Sequence, residues 1–209
     1  MPARLIAAFV AFAAFGLLLA LGHAVGHVAD PGWLMPTEAS WVNHSTLLAW
    51  WLTWLCYPYA LVPLCLGLIA IATWRPGWRG RIAFAIVALL FAWRGADLLQ
   101  HLFARPRRLD WVVKRETAFS FPSSHAAIVA GFYWVLAVQV ARSALRTRAI
   151  AAAALGLLGL AILWSRLALG AHYLTDLLGG LLWGGAAVAA LAACWPRNVF
   201  EGRSRPTLE

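Results

Sequence analysis

Charged side chains are scarce in this chain, and acidic ones are the scarcest. Of its 209 residues only 12% are charged, with 8 Asp and Glu against 17 Lys and Arg. A soluble domain normally carries charge on about a quarter of its residues, so a soluble globular fold is excluded. Cysteine is also rare: Cys56, Cys65 and Cys194 lie in or beside apolar stretches without metal-ligand spacing. We interpret them as small core residues, and we expect no metal site.

Apolar residues make up 63% of the chain, and its mean hydropathy is +0.75. A transmembrane helix needs about 20 apolar residues, and six segments meet this requirement. They are residues 5–27, 46–73, 82–103, 125–141, 149–166 and 174–195. The sequence therefore predicts an all-α polytopic membrane protein, a single domain over residues 1–209 with six transmembrane helices in a bundle and a polar tail at 196–209. Pro58 and Pro63 are predicted to kink the second helix.

The first segment has one feature of a secretory signal, because Arg4 precedes a long apolar run. No convincing cleavage site of small residues follows that run, so we expect the helix to be retained. Three histidines lie near the first loop, and we interpret them as hydrogen-bonded side chains at the membrane interface. They are His23, His27 and His44.

The net charge of +9 is distributed unevenly over the six-helix arrangement. One side holds the N-terminus, the second and fourth loops and the tail, with Arg4, Arg75, Arg79, Arg81, Arg142, Arg146, Arg148, Arg197, Arg203 and Arg205. The other side holds Arg105, Arg107, Arg108, Lys114, Arg115 and Arg166. Because cytoplasmic loops carry the excess of Lys and Arg, both termini are predicted to be cytoplasmic. The third and fifth loops then share the outer face, and the basic charge requires no nucleic acid partner.

Two histidine motifs fall on that predicted outer face. One is Ser165-Arg166-Leu-Ala-Leu-Gly-Ala-His172-Tyr-Leu-Thr-Asp176, and the other is Phe121-Pro122-Ser123-Ser124-His125. If the chain is helical from Ala171, His172 and Asp176 share one helix face at positions i and i+4. A carboxylate there can hold one imidazole nitrogen and leave the other free to attack an electrophile. With arginines nearby to bind phosphate oxygens, this combination favours phosphoryl chemistry on a lipid.

These residues resemble the motifs of the type-2 phosphatidic acid phosphatases, which are Lys-x6-Arg-Pro, Pro-Ser-Gly-His and Ser-Arg-x5-His-x3-Asp. The third motif matches at every position, from Ser165 to Asp176. The second matches except that Ser124 stands where the family has glycine. The first matches only as Arg105-Pro106, with Leu98 at the lysine position. The order of the motifs and the six-helix layout also agree with the family.

The resemblance implies a metal-independent phosphatase that works through a phosphohistidine and needs no cofactor. His172 would be the nucleophile, Asp176 its orienting partner, and His125 the acid that protonates the leaving oxygen. Arg105, Arg166, Ser123 and Ser124 would hold the phosphoryl oxygens. One histidine must then be neutral while the other is protonated, so a bell-shaped pH profile is expected.

The first motif leaves two questions open. Arg94 lies one helical turn before Leu98 and could supply the missing cation, or it could pair with Asp97 in a structural ion pair. Gln100 and His101 are other donors near the required place. Arg107 could reach a second phosphate, or it could belong with Arg108, Lys114 and Arg115 to a solvated or headgroup-facing surface.

The favoured function is hydrolysis of a lipid phosphate or diphosphate at the periplasmic or outer surface of a bacterial cytoplasmic membrane. Undecaprenyl diphosphate is the first expected substrate, because the long basic third loop could hold two phosphates. The alternatives are phosphatidylglycerol phosphate, phosphatidic acid and lipid A phosphates, or a phosphotransferase with the same site. The partner is thus a phospholipid or polyprenyl lipid, and no obligatory protein partner is evident. A small transporter is the non-enzymatic alternative, favoured by charges within a span, and the membrane segments argue against a soluble vanadate-dependent oxidase.

Overall fold

The computed structural model describes residues 2–26, 44–107 and 118–196, and its regular elements in these ranges are helical. In chain order the α-helices are α1 (Pro2–Val25), α2 (His44–Trp54), α3 (Pro58–Trp74), α4 (Arg79–Phe103), α5 (Ser124–Ile128), α6 (Trp134–Ala141), α7 (Arg148–Ala168) and α8 (Leu174–Cys194). A π-helical segment, Val129–Tyr133, joins α5 to α6, and a 3-10 turn, Pro76–Trp78, precedes α4. The prediction of an all-α protein is confirmed.

Five stretches in the described part are long and apolar enough to cross a membrane. They are Ala3–Val25, Pro76–Phe103, Ser124–Ala141, Arg148–Ala168 and Leu174–Cys194. A sixth crossing is formed if α2 and α3 count as one span, since together they pass the same test across a bend of 51°. These bounds agree with the predicted segments to within two residues, except that the third span begins six residues earlier, at Pro76 instead of residue 82.

The bend lies at Pro58, where the sequence predicts a kink. Pro58 is the first residue of α3 and has no N–H group with which to continue α2. Before it, Cys56 N–H donates to Thr53 O at 3.2 Å and Tyr57 N–H to Trp54 O at 3.0 Å, which closes α2 with tight turns. Pro63, by contrast, lies inside α3 and does not end it. After this bend, α2 packs against α7.

Small residues let α8 pack closely against α5. A side-chain carbon added at Gly184 would come within 2.7 Å of Ala127 O, and one added at Gly180 would overlap the backbone oxygen of Ser123. These positions belong to the small-xxx-small pair that permits close helix packing in membranes. The start of α5 is therefore held against the first turns of α8. The surrounding core is apolar and includes Phe84, Ile128, Phe132, Leu136 and Ile162.

Several predicted features fall outside the described residues. These are His27, the end of the first predicted span, the cations Arg108, Lys114 and Arg115 of the third loop, and the tail from residue 197 onward. Cys56, Cys65 and Cys194 are all free thiols, and Cys56 is buried.

Candidate active site

The third motif bridges the end of α7 and the beginning of α8. The chain is not helical from Ala171: α8 begins at Leu174, and His172 precedes its N-cap residue, Tyr173. Asp176 occupies the third position of α8, where its Oδ2 accepts a hydrogen bond from Tyr173 N–H at 2.9 Å. His172 Nδ1 lies 3.4 Å from the same Oδ2. The predicted pairing is present, but the capping geometry of Asp176 produces it rather than a shared helix face.

The second motif is attached to the third through the backbone. Ser123 N–H donates to Asp176 O at 3.0 Å, and Ser123 caps α5, its hydroxyl accepting from Ala126 N–H at 3.4 Å. This bond brings His125, the second residue of α5, to the same end of the bundle as His172. Both histidines are buried. Ser124 contacts α4 instead, since its hydroxyl donates to Oδ1 of Asp97 on that helix at 3.0 Å.

A threonine of α2 connects His125 to Arg166. Thr53 Oγ1 lies 3.2 Å from His125 Nε2 and also accepts a hydrogen bond from Arg166 Nη1. Thr53 and Arg166 are both buried. Sequence reasoning missed Thr53, because its only signal was one hydroxyl within an apolar segment. Its placement depends on the bend at Pro58, which directs α2 over the site.

Arg105 and Arg107 contact different members of the third motif. Arg105 Nη1 lies 2.6 Å from Asp176 Oδ1 and donates to Thr175 Oγ1 at 2.7 Å, and its guanidinium stacks 4.3 Å from the Tyr173 ring centre. Arg107 Nη1 lies 3.1 Å from His172 Nε2, the nitrogen on the side away from Asp176. Arg107 is fixed further by hydrogen bonds to Ala118 O at 2.7 Å and Ala171 O at 3.0 Å.

The structure brings neither Arg94 nor His101 into this cluster. The Arg94 side chain is 74% exposed and lies 3.7 Å from Asp97, which is the structural pairing considered above. His101 is exposed and packs edge-on against Phe119. Leu98 is 63% exposed and also faces outward. Gln100 is only 6% exposed, and its Nε2 donates to Pro122 O and Ser124 Oγ, each at 2.9 Å.

Together these contacts form a buried cationic cluster with two imidazoles. It contains a histidine whose Nδ1 faces a carboxylate and whose Nε2 faces a guanidinium, and a second histidine hydrogen-bonded within the same network. Such an arrangement can hold a tetrahedral anion against a nitrogen nucleophile. Across the described ranges, no three His, Cys, Asp or Glu side chains converge as ligands for a metal ion.

Comparisons with known proteins give a family match for the sequence and a structural match for the fold. Residues 51–200 match the sequence model of the PAP2 superfamily. The fold is similar to the crystal structure of "the first transmembrane PAP2 type phosphatidylglycerolphosphate phosphatase from Bacillus subtilis", with a TM-score of 0.68 and 19% sequence identity. That alignment covers 89% of this chain and 94% of the other. Comparison with curated protein sequences gives no match.

Proposed function

The chain belongs to the PAP2 superfamily, and we propose that it is a metal-independent membrane lipid phosphatase that removes the terminal phosphate of its lipid through a phosphohistidine at His172. The observation that supports this role most directly is the position of His172 between Asp176 and Arg107. The carboxylate favours a proton on Nδ1, which leaves the lone pair on Nε2 directed at the place where Arg107 would hold a phosphate.

In the first step, His172 Nε2 attacks phosphorus, an N–P bond forms, and the P–O bond to the lipid breaks. His125, protonated at Nε2, donates its proton to the departing oxygen. Arg166 and Arg107 stabilise the charge that spreads over the equatorial phosphoryl oxygens. Thr53 Oγ1 accepts from Arg166 Nη1 and lies against His125 Nε2, so a phosphoryl oxygen that binds both of these groups competes with this hydroxyl.

In the second step, water attacks the phosphohistidine while neutral His125 accepts its proton. The N–P bond breaks, inorganic phosphate leaves, and both histidines return to their starting states. A bell-shaped dependence of kcat/KM on pH follows, because His172 must be neutral and His125 protonated in the free enzyme.

We further propose a different register for the first motif. The spacing Lys-x6-Arg is also met by Gln100 and Arg107, with Arg108 in place of proline. In this register the motif arginine is Arg107, which contacts His172. The lysine position is Gln100, which is buried and donates to Pro122 O and Ser124 Oγ. Arg105 then acts as a positioning residue, because it holds Asp176 and not the nucleophilic nitrogen.

The substrate proposal remains undecaprenyl diphosphate, with phosphatidylglycerol phosphate second. Arg107 is now assigned to the first phosphate, so a second phosphate would rely on Arg108, Lys114 and Arg115, which follow it in the sequence. The second candidate is favoured by the phosphatidylglycerolphosphate phosphatase activity of the structurally similar Bacillus subtilis enzyme.

A lipid panel tests the proposal. Purified protein in detergent with EDTA is given undecaprenyl diphosphate, phosphatidylglycerol phosphate, phosphatidic acid or lipid A, and released phosphate is measured. We expect turnover of one lipid, and a loss of at least about a thousandfold in His172→Ala. The matched control is His101→Ala, which should keep activity because His101 lies on the outside of the bundle.

Three outcomes would contradict the proposal. Full activity of His172→Ala would exclude the phosphohistidine, and complete loss of activity with EDTA would exclude a metal-independent reaction. Transfer of phosphate to a second lipid without release would identify a phosphotransferase. Circular dichroism of the variants distinguishes a chemical loss from misfolding.

A further inference from the structure

A second basic site lies at the end of the bundle away from the histidines. The helices α1, α4, α6 and α8 enclose a cavity of about 460 Å³ there. Gln139, which lines it, follows His125 by 14 residues along the α5–α6 run, a distance of roughly 20 Å at helical rise. The cavity is therefore separate from the candidate active site.

The walls of this cavity are apolar and its charged residues are all arginines. Phe84, Trp134, Val135, Val138 and Val188 are among the apolar residues that line it. The charged lining residues are Arg4 from α1, Arg81 from α4 and Arg142 at the end of α6. Among the described residues, no acidic side chain lines the cavity. A ligand that matches it carries a negative group beside a hydrocarbon chain.

Gln139 supplies a second indication of a ligand. Its side chain is 5% exposed, and neither its Nε2 nor its Oε1 has a hydrogen-bond partner among the described residues. Its backbone oxygen accepts from Arg81 Nη1 at 3.3 Å, so the two residues are joined on one wall. A buried amide without partners is destabilising, so a ligand that supplies them is favoured. The phosphate and ester oxygens of a lipid would accept from this amide while arginines bind the charge.

We propose that this cavity binds the headgroup of an anionic phosphodiester lipid from the leaflet opposite to the catalytic one. Basic pockets between transmembrane helices are suited to such headgroups, and the volume lies within the range of ligand sites. The tail after Pro196 is a poor occupant, because its residues include Arg197, Arg203 and Arg205 against Glu201 and Glu209. The inference does not depend on the phosphatase step.

Lipid binding to the delipidated, full-length protein tests the site. Phosphatidylglycerol is the probe, since it is a phosphodiester without a terminal phosphate to hydrolyse. Phosphatidylcholine and inorganic phosphate serve as comparison ligands. Native mass spectrometry gives the number of bound lipids, and the rise in Tm with lipid concentration gives an apparent Kd. We expect one tightly held phosphatidylglycerol, with phosphatidylcholine and inorganic phosphate much weaker.

Variants locate the binding. Each of Arg4→Ala and Arg142→Ala should raise the Kd about fivefold, and the double variant about 25-fold. Arg146→Ala is the matched control, because Arg146 is an exposed arginine in the loop after α6 that does not line the cavity. Gln139→Leu should raise the Tm of the lipid-free protein, since it removes a buried amide, yet reduce the further rise caused by lipid.

The opposite results would overturn the proposal. Equal binding by the double variant and the Arg146→Ala control would place the lipid elsewhere. Equal stabilisation by phosphatidylcholine would make the cavity a neutral lipid contact, and equal stabilisation by inorganic phosphate would make it a free-anion site. If the double variant does not fold, a Gln139→Leu protein with an unchanged lipid response would be decisive against it.

Discussion

At the scale of single residues, Gln100 and Arg107 fill the two key positions of the first motif in the register proposed above. Gln100 donates two hydrogen bonds to the second motif, and Arg107 contacts the nitrogen of His172 that faces away from Asp176. Leu98, two residues earlier on α4, faces outward. A two-residue shift of register moves a side chain about 200° around a helix, which is why positions 98 and 100 have opposite environments.

Gln100→Lys should increase activity. An ammonium at this position can keep the bonds to Pro122 O and Ser124 Oγ and adds a charge for the phosphoryl group, which is worth roughly tenfold in kcat/KM. The control is Leu98→Lys, where the new charge would face outward and leave kcat/KM unchanged. Steady-state kinetics on the best lipid of the panel decides between them. An increase in Leu98→Lys alone would restore the original register.

Substitutions of Asp176 and Arg107 are expected to differ in their effects on stability: both should impair catalysis, but only the Asp176 substitution should lower the Tm substantially. Asp176→Asn leaves the buried Arg105 without its charged partner, so we expect a lower Tm, corresponding to about 3–5 kcal/mol. It should also reduce kcat by roughly a thousandfold through the orientation of His172. Arg107→Gln should reduce kcat/KM by roughly a hundredfold with little change in Tm. Thermal unfolding and kinetics on the same samples test this separation, and a large stability loss in Arg107→Gln would contradict it.

The close packing of α8 on α5 is the feature of the helices that matters most for the site. A side-chain carbon on Gly180 would overlap the backbone oxygen of Ser123, which caps α5 two residues before His125. Any side chain on Gly180 must therefore push the start of α5 away from α8. Such a shift would also act on the bond between Ser123 N–H and Asp176 O, which joins the two histidine motifs.

Gly180→Ala should impair both folding and catalysis. We expect a destabilisation of about 1–3 kcal/mol from overpacking, and a lower kcat because His125 moves relative to His172. Gly185→Ala is the control on the same helix, where an added carbon meets no atom within 4 Å. It should be neutral or slightly stabilising, since alanine favours the helix. Equal behaviour of the two variants in thermal unfolding and turnover would contradict the packing argument.

The helices were predictable from the sequence, and the site only in part. Long apolar segments and Pro58 fixed the spans and the bend, because both depend on local composition. The motif spacing identified His125, Arg166, His172 and Asp176, which the structure brings to one end of the bundle. The motif spacing could not reveal Thr53, because its contacts with Arg166 and His125 depend on how α2 packs against α7. Nor could it show that Ser124 faces α4 and that Arg105 binds Asp176, since both depend on tertiary packing.

For the whole molecule, the uneven arginine distribution predicts which end of the bundle faces outward. The two ends differ in function under our proposals, with the histidines at one and the arginine-lined cavity at the other. We expect the histidine end on the outer side and both termini in the cytoplasm.

Cysteine labelling in intact cells tests this orientation. Single cysteines are introduced as Phe119→Cys near the histidines and Leu145→Cys in the loop after α6, with Cys194 replaced by serine to remove an exposed thiol. A membrane-impermeant maleimide should label position 119 in intact cells and position 145 only after lysis. The reverse pattern would place the active site in the cytoplasm. A C-terminal green fluorescent protein fusion should fluoresce, since that reporter folds in the cytoplasm.

The hydroxyl of Thr53 has a consequence for turnover. Inorganic phosphate, once formed, suits the same arginines as the substrate and would tend to remain bound. The hydroxyl of Thr53 can form its hydrogen bonds with Arg166 and His125 again after the reaction, and it therefore competes with the product for both residues. We therefore expect Thr53 to promote the release of inorganic phosphate. Thr53→Val should make the enzyme more sensitive to inhibition by inorganic phosphate, as measured by steady-state kinetics.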